Sequence, residues 1–249
     1  MHQLFVDTLP AEGGLLSLEG DERHYLGRAL RARPGERFRL AAADGSAATA
    51  LLESFSGDAA LLRVGASDPD PDLGLRLSLD LCPPRGDALD EALEMAVQLG
   101  LERLRLVRSE RTLAAPDQGA LQPDKLVRRL REACRQCLRA RLPVLEPSLP
   151  LEEGLNAAPG PSELKLVMSE RGGEALASLA LGAHSAVRVL VGPEGGFTAA
   201  ELDRARAAGW RAISLGPHPL KTATAVAAAL ASLRALSAPL LSPPLKAST

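Results

Sequence analysis

Two short stretches near the carboxyl end hold the residues best suited to chemistry. The first, "LVGPEGGF" at residues 190–197, runs from apolar residues into three glycines, a proline and one carboxylate, Glu194. The second, "ISLGPHPLKTATA" at 213–225, repeats the theme, with an apolar run, a Gly-Pro turn, His218 and Lys221 ahead of an alanine-rich segment. Glycines let a backbone approach a ligand closely and expose its amide groups. Phosphate is the default ligand of such a loop, but a carboxylate beside it is repulsive, and the first loop has no lysine to offset Glu194. Neither G-x-x-x-x-G-K-[ST] nor G-x-G-x-x-G is present there. A neutral or cationic ligand, with hydroxyls, amines or a sulfonium facing the carboxylate, fits better. An exposed acid on a tight turn is the alternative reading of the same residues.

The elements around these loops can be read from periodicity. Val187 to Val191 forms a buried strand; Thr198 and Glu201 stand three apart as a capping box opening a helix that closes at Gly209; Ile213 and Leu215 belong to the next strand. Both loops therefore lie at the carboxyl ends of strands, where α/β sheets bind ligands. If the two strands are neighbours, the loops form a cleft. Upstream, "LRLSLDLC" at 75–82 alternates strictly, and Asp87 caps a helix with apolar Leu89, Leu93, Ala96 and Leu99 that ends at Gly100. Further strand-like runs at 103–107, 164–168, 187–191 and 211–215 alternate with helical segments, the signature of a mostly parallel α/β sheet.

The stretch "SDPDPDLG" at 67–74 resists helix and strand and marks a domain boundary. Before it, short strand-like pieces split at Asp44-Gly45 and Gly57-Asp58 suggest a small antiparallel barrel, with Phe5, Tyr25 and Phe38 in its core. After residue 236 the sequence "SAPLLSPPLKAST" is proline-rich and expected to fray.

The chain has 249 residues, 46% of them hydrophobic, enough to bury a sizeable core. No apolar run reaches the roughly 18 residues that span a bilayer, and the amino end has no basic leader, so a cytoplasmic protein without a membrane partner is expected. Cys134 and Cys137 form a C-x-x-C within a helical pattern with no second pair to complete a zinc site, which favours a half-buried helix face over metal or redox chemistry, and no metal is expected. The net charge of −2 conceals two basic runs: Arg23, Arg28, Arg31, Arg33, Arg37 and Arg39 against Glu36, and Lys125 to Arg141 against Glu132. Two such faces suit a phosphate-bearing partner and point to RNA or DNA, with solvated surface as the alternative.

"VGPEGGF" followed by "ISLGPHPLKTATA" resembles the carboxyl-terminal signature of the ribosomal RNA small subunit methyltransferase E family, of the SPOUT class. The resemblance extends upstream, through "HYLGRALRARPGERFRLAAADG", "GDALDEALEMAVQLGLERLRLVRSERT" and "EACRQCLRARLPVL". It implies a PUA-like β-barrel RNA-binding domain at 1–70, a trefoil-knotted SPOUT α/β methyltransferase domain at 75–236, a flexible tail at 237–249 and a homodimer. Knots are rare exceptions to unthreaded topology. The implied reaction is methylation of N3 of one uridine in 16S ribosomal RNA of the small subunit, with S-adenosyl-L-methionine as donor. Backbone groups of Gly192, Gly195, Gly196, Leu215, Gly216 and Leu220 would wrap the adenosine. Val191, Pro193, Thr222, Thr224, Ala225 and Glu170 complete the implied cofactor site, and Glu194 would lie near the sulfonium or the RNA. Arg23, Arg28, Arg31, Arg33, Arg139 and Arg141 are the expected RNA contacts.

The chain departs from the family at polar positions. Lys221, Thr222 and Ala223 stand where arginine, threonine or alanine, and glutamate are usual, and His218 replaces an arginine. Gln3 also replaces an arginine, Met95 and Gln98 replace lysine and glutamate, and Arg135 and Cys137-Leu138 replace glutamate and serine-glycine. Lysine keeps the charge of arginine but loses its planar fork. The N3 proton of uracil must leave as the methyl arrives, so a base or an anion-stabilising group is required; Lys221, Glu194 and His218 are the catalytic candidates. Two alternatives stay open: a relative that binds ribosomal RNA with little or no methyl transfer, and a methyltransferase for another RNA. Aromatics make up only 2% of the chain, so recognition would rest on arginine, backbone and RNA shape rather than on stacking.

Overall fold

The computed structural model describes residues 1–71, 73–113, 121–170 and 172–237, so of the tail assigned to 237–249 only Ser237 falls among the described residues. The chain divides into two compact units, one of Met1–Asp72 with Leu130–Leu142 and one of Leu73–Arg129 with Pro143–Thr249.

The first unit is built on a five-stranded sheet. Its strands are β1 (His2–Val6), β2 (Leu15–Leu18), β3 (Arg37–Ala42), β4 (Ala47–Ser56) and β5 (Ala59–Ser67), in the order β1-β3-β4-β5-β2, with the short helix α1 (Gly20–His24) after β2. The sheet is not purely antiparallel, because β1 runs parallel to β3. Gly45 and Gly57, both at positive φ, turn the chain between β3 and β4 and between β4 and β5. Phe38, Leu4, Leu40, Leu52 and Leu62 fill the core, Phe5 is buried as well, and Tyr25 packs against the cluster from its edge.

Several arginines of the basic runs hold this unit together. Arg39 is buried, and its guanidinium donates to Gln3 Oε1 at 2.8 Å, Asp68 Oδ2 at 2.7 Å, Asp70 Oδ1 at 2.9 Å and the Leu138 carbonyl. Gln3 passes the contact on, donating to the Arg139 carbonyl at 2.7 Å, while Asp70 accepts from the Ala140 amide at 2.8 Å. The acidic stretch thus supplies the counter-charges of a buried arginine and binds segment 138–141; losing one partner of such a pair typically costs about 3–5 kcal/mol. Arg135 pairs with Glu22 and lies 4.3 Å over the Tyr25 ring, Arg131 lies 5.4 Å over Phe5, and Arg23 lies 4.4 Å over Phe55. Arg28, Arg31, Arg33 and Arg37 remain exposed.

The second unit is a parallel sheet. Its elements are β6 (Arg76–Leu81), α2 (Ala88–Gln98), β7 (Leu101–Arg108), α3 (Pro123–Cys137), β8 (Val144–Leu145), β9 (Leu149–Pro150), α4 (Leu151–Asn156), β10 (Glu163–Met168), β11 (Glu174–Ala175), β12 (Ala186–Val191), α5 (Ala199–Ala207), β13 (Arg211–Ser214) and α6 (Thr222–Ser237); residues 130–137 of α3 group with the first unit. The strand order is β11-β13-β10-β12-β6-β7-β8, with β9 paired to β7. β12 and β13 are therefore not neighbours, because β10 lies between them in parallel register with both. Asp87 occupies the cap position of α2 but makes no side-chain capping bond. α4 and α5 cover Val107, Val167 and Leu190, with Trp210 wedged among them and donating to the Leu155 carbonyl at 3.1 Å. Among the described residues no helix is long and apolar enough to cross a membrane.

Leu138 has φ +56, a left-handed conformation that costs a side-chain-bearing residue roughly 1–2 kcal/mol. Glycine, usual at this position in the family it resembles, adopts it freely. Leu138→Gly is expected to raise the thermal midpoint by about 2–4 °C, the equivalent of ~1 kcal/mol, in calorimetry of the intact chain.

Candidate functional site

Because β10, β12 and β13 run parallel and adjacent, their carboxyl ends open on one edge of the sheet, and three loops rather than two meet there. The first leaves β12 at Val191 and turns at Pro193–Gly196, where the Gly196 amide donates to the Pro193 carbonyl at 2.8 Å. Two of its glycines are favoured for different reasons. Gly196 sits at φ +64, and a Cβ on Gly192 would stand 3.0 Å from the Phe197 ring, which is anchored in the core. Thr198 then caps α5: its hydroxyl accepts from the Glu201 amide at 3.2 Å, and Glu201 Oε2 accepts from the Thr198 amide at 2.8 Å.

The second loop follows β13. Ser214 Oγ accepts from the Gly216 amide at 3.2 Å and donates to its carbonyl at 3.1 Å, shaping the turn before His218. Lys221 leads into α6, where its carbonyl accepts from the Ala225 amide at 2.8 Å. The third loop continues β10 through Ser169, whose amide donates to the Ile213 carbonyl at 2.9 Å, to Glu170.

Between these loops lies an open cleft of about 760 Å³ including the solvent at its mouth. Val191, Gly192, Pro193, Gly195 and Gly196 line it from the first loop, Leu215, Gly216, His218 and Leu220 from the second, and Thr222 and Ala225 from α6. Glu170 enters from the third, its Oε2 about 3.7 Å from where a Gly196 Cβ would stand. Met168, Ser169, Phe197 and Leu202 complete the wall. Among these lining residues there is no lysine or arginine, and Glu170 is the one carboxylate. Among the described lining residues a phosphate meets no lysine or arginine, whereas an uncharged or cationic ligand meets backbone, apolar surface, Ser169, Thr222, His218 and the Glu170 carboxylate.

Three residues singled out by sequence stand outside this wall. Glu194 is exposed, and its Oε1 accepts from the Arg85 amide at 3.0 Å, tying the β12 loop to the loop after β6. Lys221 and Thr224 are exposed at the start of α6. The expected RNA contacts all belong to the first unit, where Arg28, Arg31, Arg33 and Arg141 are exposed, while Arg23 and Arg139 are half-buried. Burial pushes the Cys134 thiol up to about 12, which leaves it protonated and unreactive at neutral pH. Sequence reasoning did not identify Met168, Ser169, Phe197 or Leu202, which carry no polar signature, or Arg111, whose Nη1 donates to the Gly195 carbonyl at 2.7 Å.

Comparison with known proteins agrees with this geometry. Residues 71–234 match the model of the RNA methyltransferase domain family. The chain is 30% identical over 228 residues to a ribosomal RNA small subunit methyltransferase E of a Synechocystis species, covering 89% of this chain and 73% of that protein. It is 29% identical over 240 residues to the protein of the same name from Mycobacterium tuberculosis, covering 94% and 91%. Among solved structures it is similar to a ribosomal RNA small subunit methyltransferase E from Neisseria gonorrhoeae bound to S-adenosyl methionine, with TM-score 0.85, 28% identity, and 95% and 98% of the two chains covered. The chain therefore belongs to the RNA methyltransferase domain family, among the ribosomal RNA small subunit methyltransferases E.

The contact between Gly192 and Phe197 gives a direct test of the first loop. Gly192→Ala is expected to lower stability by about 1–3 kcal/mol in denaturant unfolding, the usual cost of overpacking, because Phe197 is held in the core and has little room to give.

Proposed function

We propose that the chain is an S-adenosylmethionine-dependent methyltransferase that modifies N3 of a uridine in 16S ribosomal RNA of the small subunit. The observation that carries the donor assignment is the charge of the cleft: among the described residues its wall is mostly glycine and apolar, holds no lysine or arginine, and has Glu170 as its carboxylate, which offsets a cationic ligand. The donor, when bound, supplies an electrophilic methyl group on a sulfonium. Backbone groups of Gly192, Gly195, Gly196, Leu215, Gly216 and Leu220 hold its adenosine, with Val191, Pro193, Thr222 and Ala225 packing around it and Thr224 at the edge.

The protein's part in the reaction is to bring uracil N3 to the methyl group and to manage the proton that leaves. His218 lines the cleft, and the free ring nitrogen of a neutral imidazole can accept a proton; a positioned base contributes roughly 10²–10⁴-fold. Lys221, exposed beside it in sequence, supplies positive charge for the uracil anion that develops, and Glu194 is a third candidate. Arg28, Arg31, Arg33 and Arg141 offer exposed charge to the RNA backbone, with Arg23 and Arg139 behind them. On this reading the first 70 residues act as a PUA-like RNA-binding barrel, residues 75–236 form a trefoil-knotted SPOUT domain, and the protein works in the cytoplasm as a homodimer. The five-stranded sheet of the first unit and the parallel sheet of the second, with the cleft at its strand ends, support the two-domain part of this reading.

One substitution favours a second reading, in which the chain binds ribosomal RNA without efficient transfer. Ala223 is buried at the start of α6 where the family it resembles has a glutamate, so whatever that carboxylate contributes is lost. Calorimetric titration with S-adenosylmethionine tests the donor site that the methyltransferase reading needs. The wild type is expected to bind, and Ala225→Leu, which adds bulk to the cleft wall, is expected to lose binding while melting within a few degrees of the wild type. Unchanged affinity in Ala225→Leu would move the donor out of this cleft.

A further inference from the structure

The peptide between Gly195 and Gly196 is fixed from both sides. Its N–H donates to the Pro193 carbonyl at 2.8 Å, and its C=O accepts from Arg111 Nη1 at 2.7 Å. In a planar trans peptide these two groups point in opposite directions, so each contact restrains the same plane from its own side. The restraint matters because both flanking residues are glycines: no Cβ opposes rotation of this plane, and Gly196 already occupies φ +64. A Gly-Gly peptide left with the turn bond alone would sample other orientations and take its cleft-lining backbone with it.

Arg111 is itself anchored. It belongs to a short strap after β7, closed by the Ser109 amide donating to Thr112 Oγ1 at 3.0 Å and the Thr112 amide donating to the Ser109 carbonyl at 3.1 Å. The Glu110 amide donates to Glu201 Oε1 at 2.8 Å, and Glu201, only 2% exposed, is the capping-box residue at the start of α5. One buried carboxylate therefore ties the strap to the helix that follows the glycine loop. The arginine stem also covers Gly195, its Cδ lying 3.3 Å from where a Cβ would stand. The resulting circuit runs from Glu201 through the strap and Arg111 to the Gly195 carbonyl, and back through the loop to Thr198.

We propose that Arg111 is a positioning residue that holds the glycine loop in its ligand-binding form by clamping the Gly195 carbonyl. Arg111 does not line the cleft, whereas Gly195 and Gly196 do, so it acts through them. The consequence for donor affinity rests on the cleft being the S-adenosylmethionine site; the clamp on the loop does not.

The test uses Arg111→Ala and Arg111→Lys in the full chain with two readouts, amide hydrogen exchange over residues 192–198 in the ligand-free protein and calorimetric titration with S-adenosylmethionine. The expected result is faster exchange confined to that segment in Arg111→Ala, partial recovery in Arg111→Lys, which keeps one charged donor, and donor affinity about tenfold weaker in Arg111→Ala, as fits loss of one charge-assisted hydrogen bond near the surface. Unchanged loop exchange in Arg111→Ala would overturn the clamp whatever the ligand. Faster exchange with undiminished affinity would overturn its role in the site. A wild type that protects the loop yet binds no S-adenosylmethionine would count against the methyltransferase reading, and the exchange data would still decide the clamp.

Discussion

Everything at the cleft depends on the parallel register of β10 with both β12 and β13. A parallel strand can be joined to its neighbour only by a crossover, so successive strands deliver their following loops to the same edge of the sheet. Inserting β10 between the two glycine-bearing strands sets their loops one strand apart and places Met168, Ser169 and Glu170 between them. That spacing turns two separate turns into one cavity with a floor. It also brings a carboxylate, Glu170, into a wall made mostly of glycines and apolar residues, with Ser169, His218 and Thr222 as its other polar members among the described residues.

Among the described residues the cleft wall has no lysine or arginine, while exposed arginines occur in both units, among them Arg28, Arg31, Arg33 and Arg37 in the first and Arg76, Arg103, Arg204 and Arg211 in the second. Other arginines of the basic runs serve the fold. Arg39 is neutralised by Asp68 and Asp70, and Arg135 by Glu22. These pairs account for two of the departures from the family pattern: Gln3 bridges Arg39 and the Arg139 carbonyl from a buried position, and Arg135 meets an acid from a different element.

What could be read from the sequence was local. The capping box at Thr198 and Glu201, the helix stop at Gly209 and the placement of both glycine loops after strands rest on residues a few positions apart, and all are present. The position of β10 could not be read, because strand order depends on pairing across the whole chain and leaves no mark in any one segment. The same holds for partners: a buried Arg39 and an exposed Arg37 look alike in a sequence, and nothing near Arg111 announces that it will meet Gly195, 84 positions away. Glu194, the residue that made the first loop unusual, faces the Arg85 amide rather than the cavity, and the carboxylate in the wall is Glu170. Lining residues such as Phe197 and Leu202 double as core, so their apolar character pointed to packing alone.

Delivery of a methyl group from this cleft to uracil N3 in the small ribosomal subunit is the reaction we propose for this protein. Its most direct test is incubation of the purified protein and S-adenosylmethionine with small subunits from cells lacking this gene, followed by nucleoside mass spectrometry. The expected result is 3-methyluridine in 16S ribosomal RNA. Its absence, under conditions in which another member of the family methylates the same particles, would contradict the account.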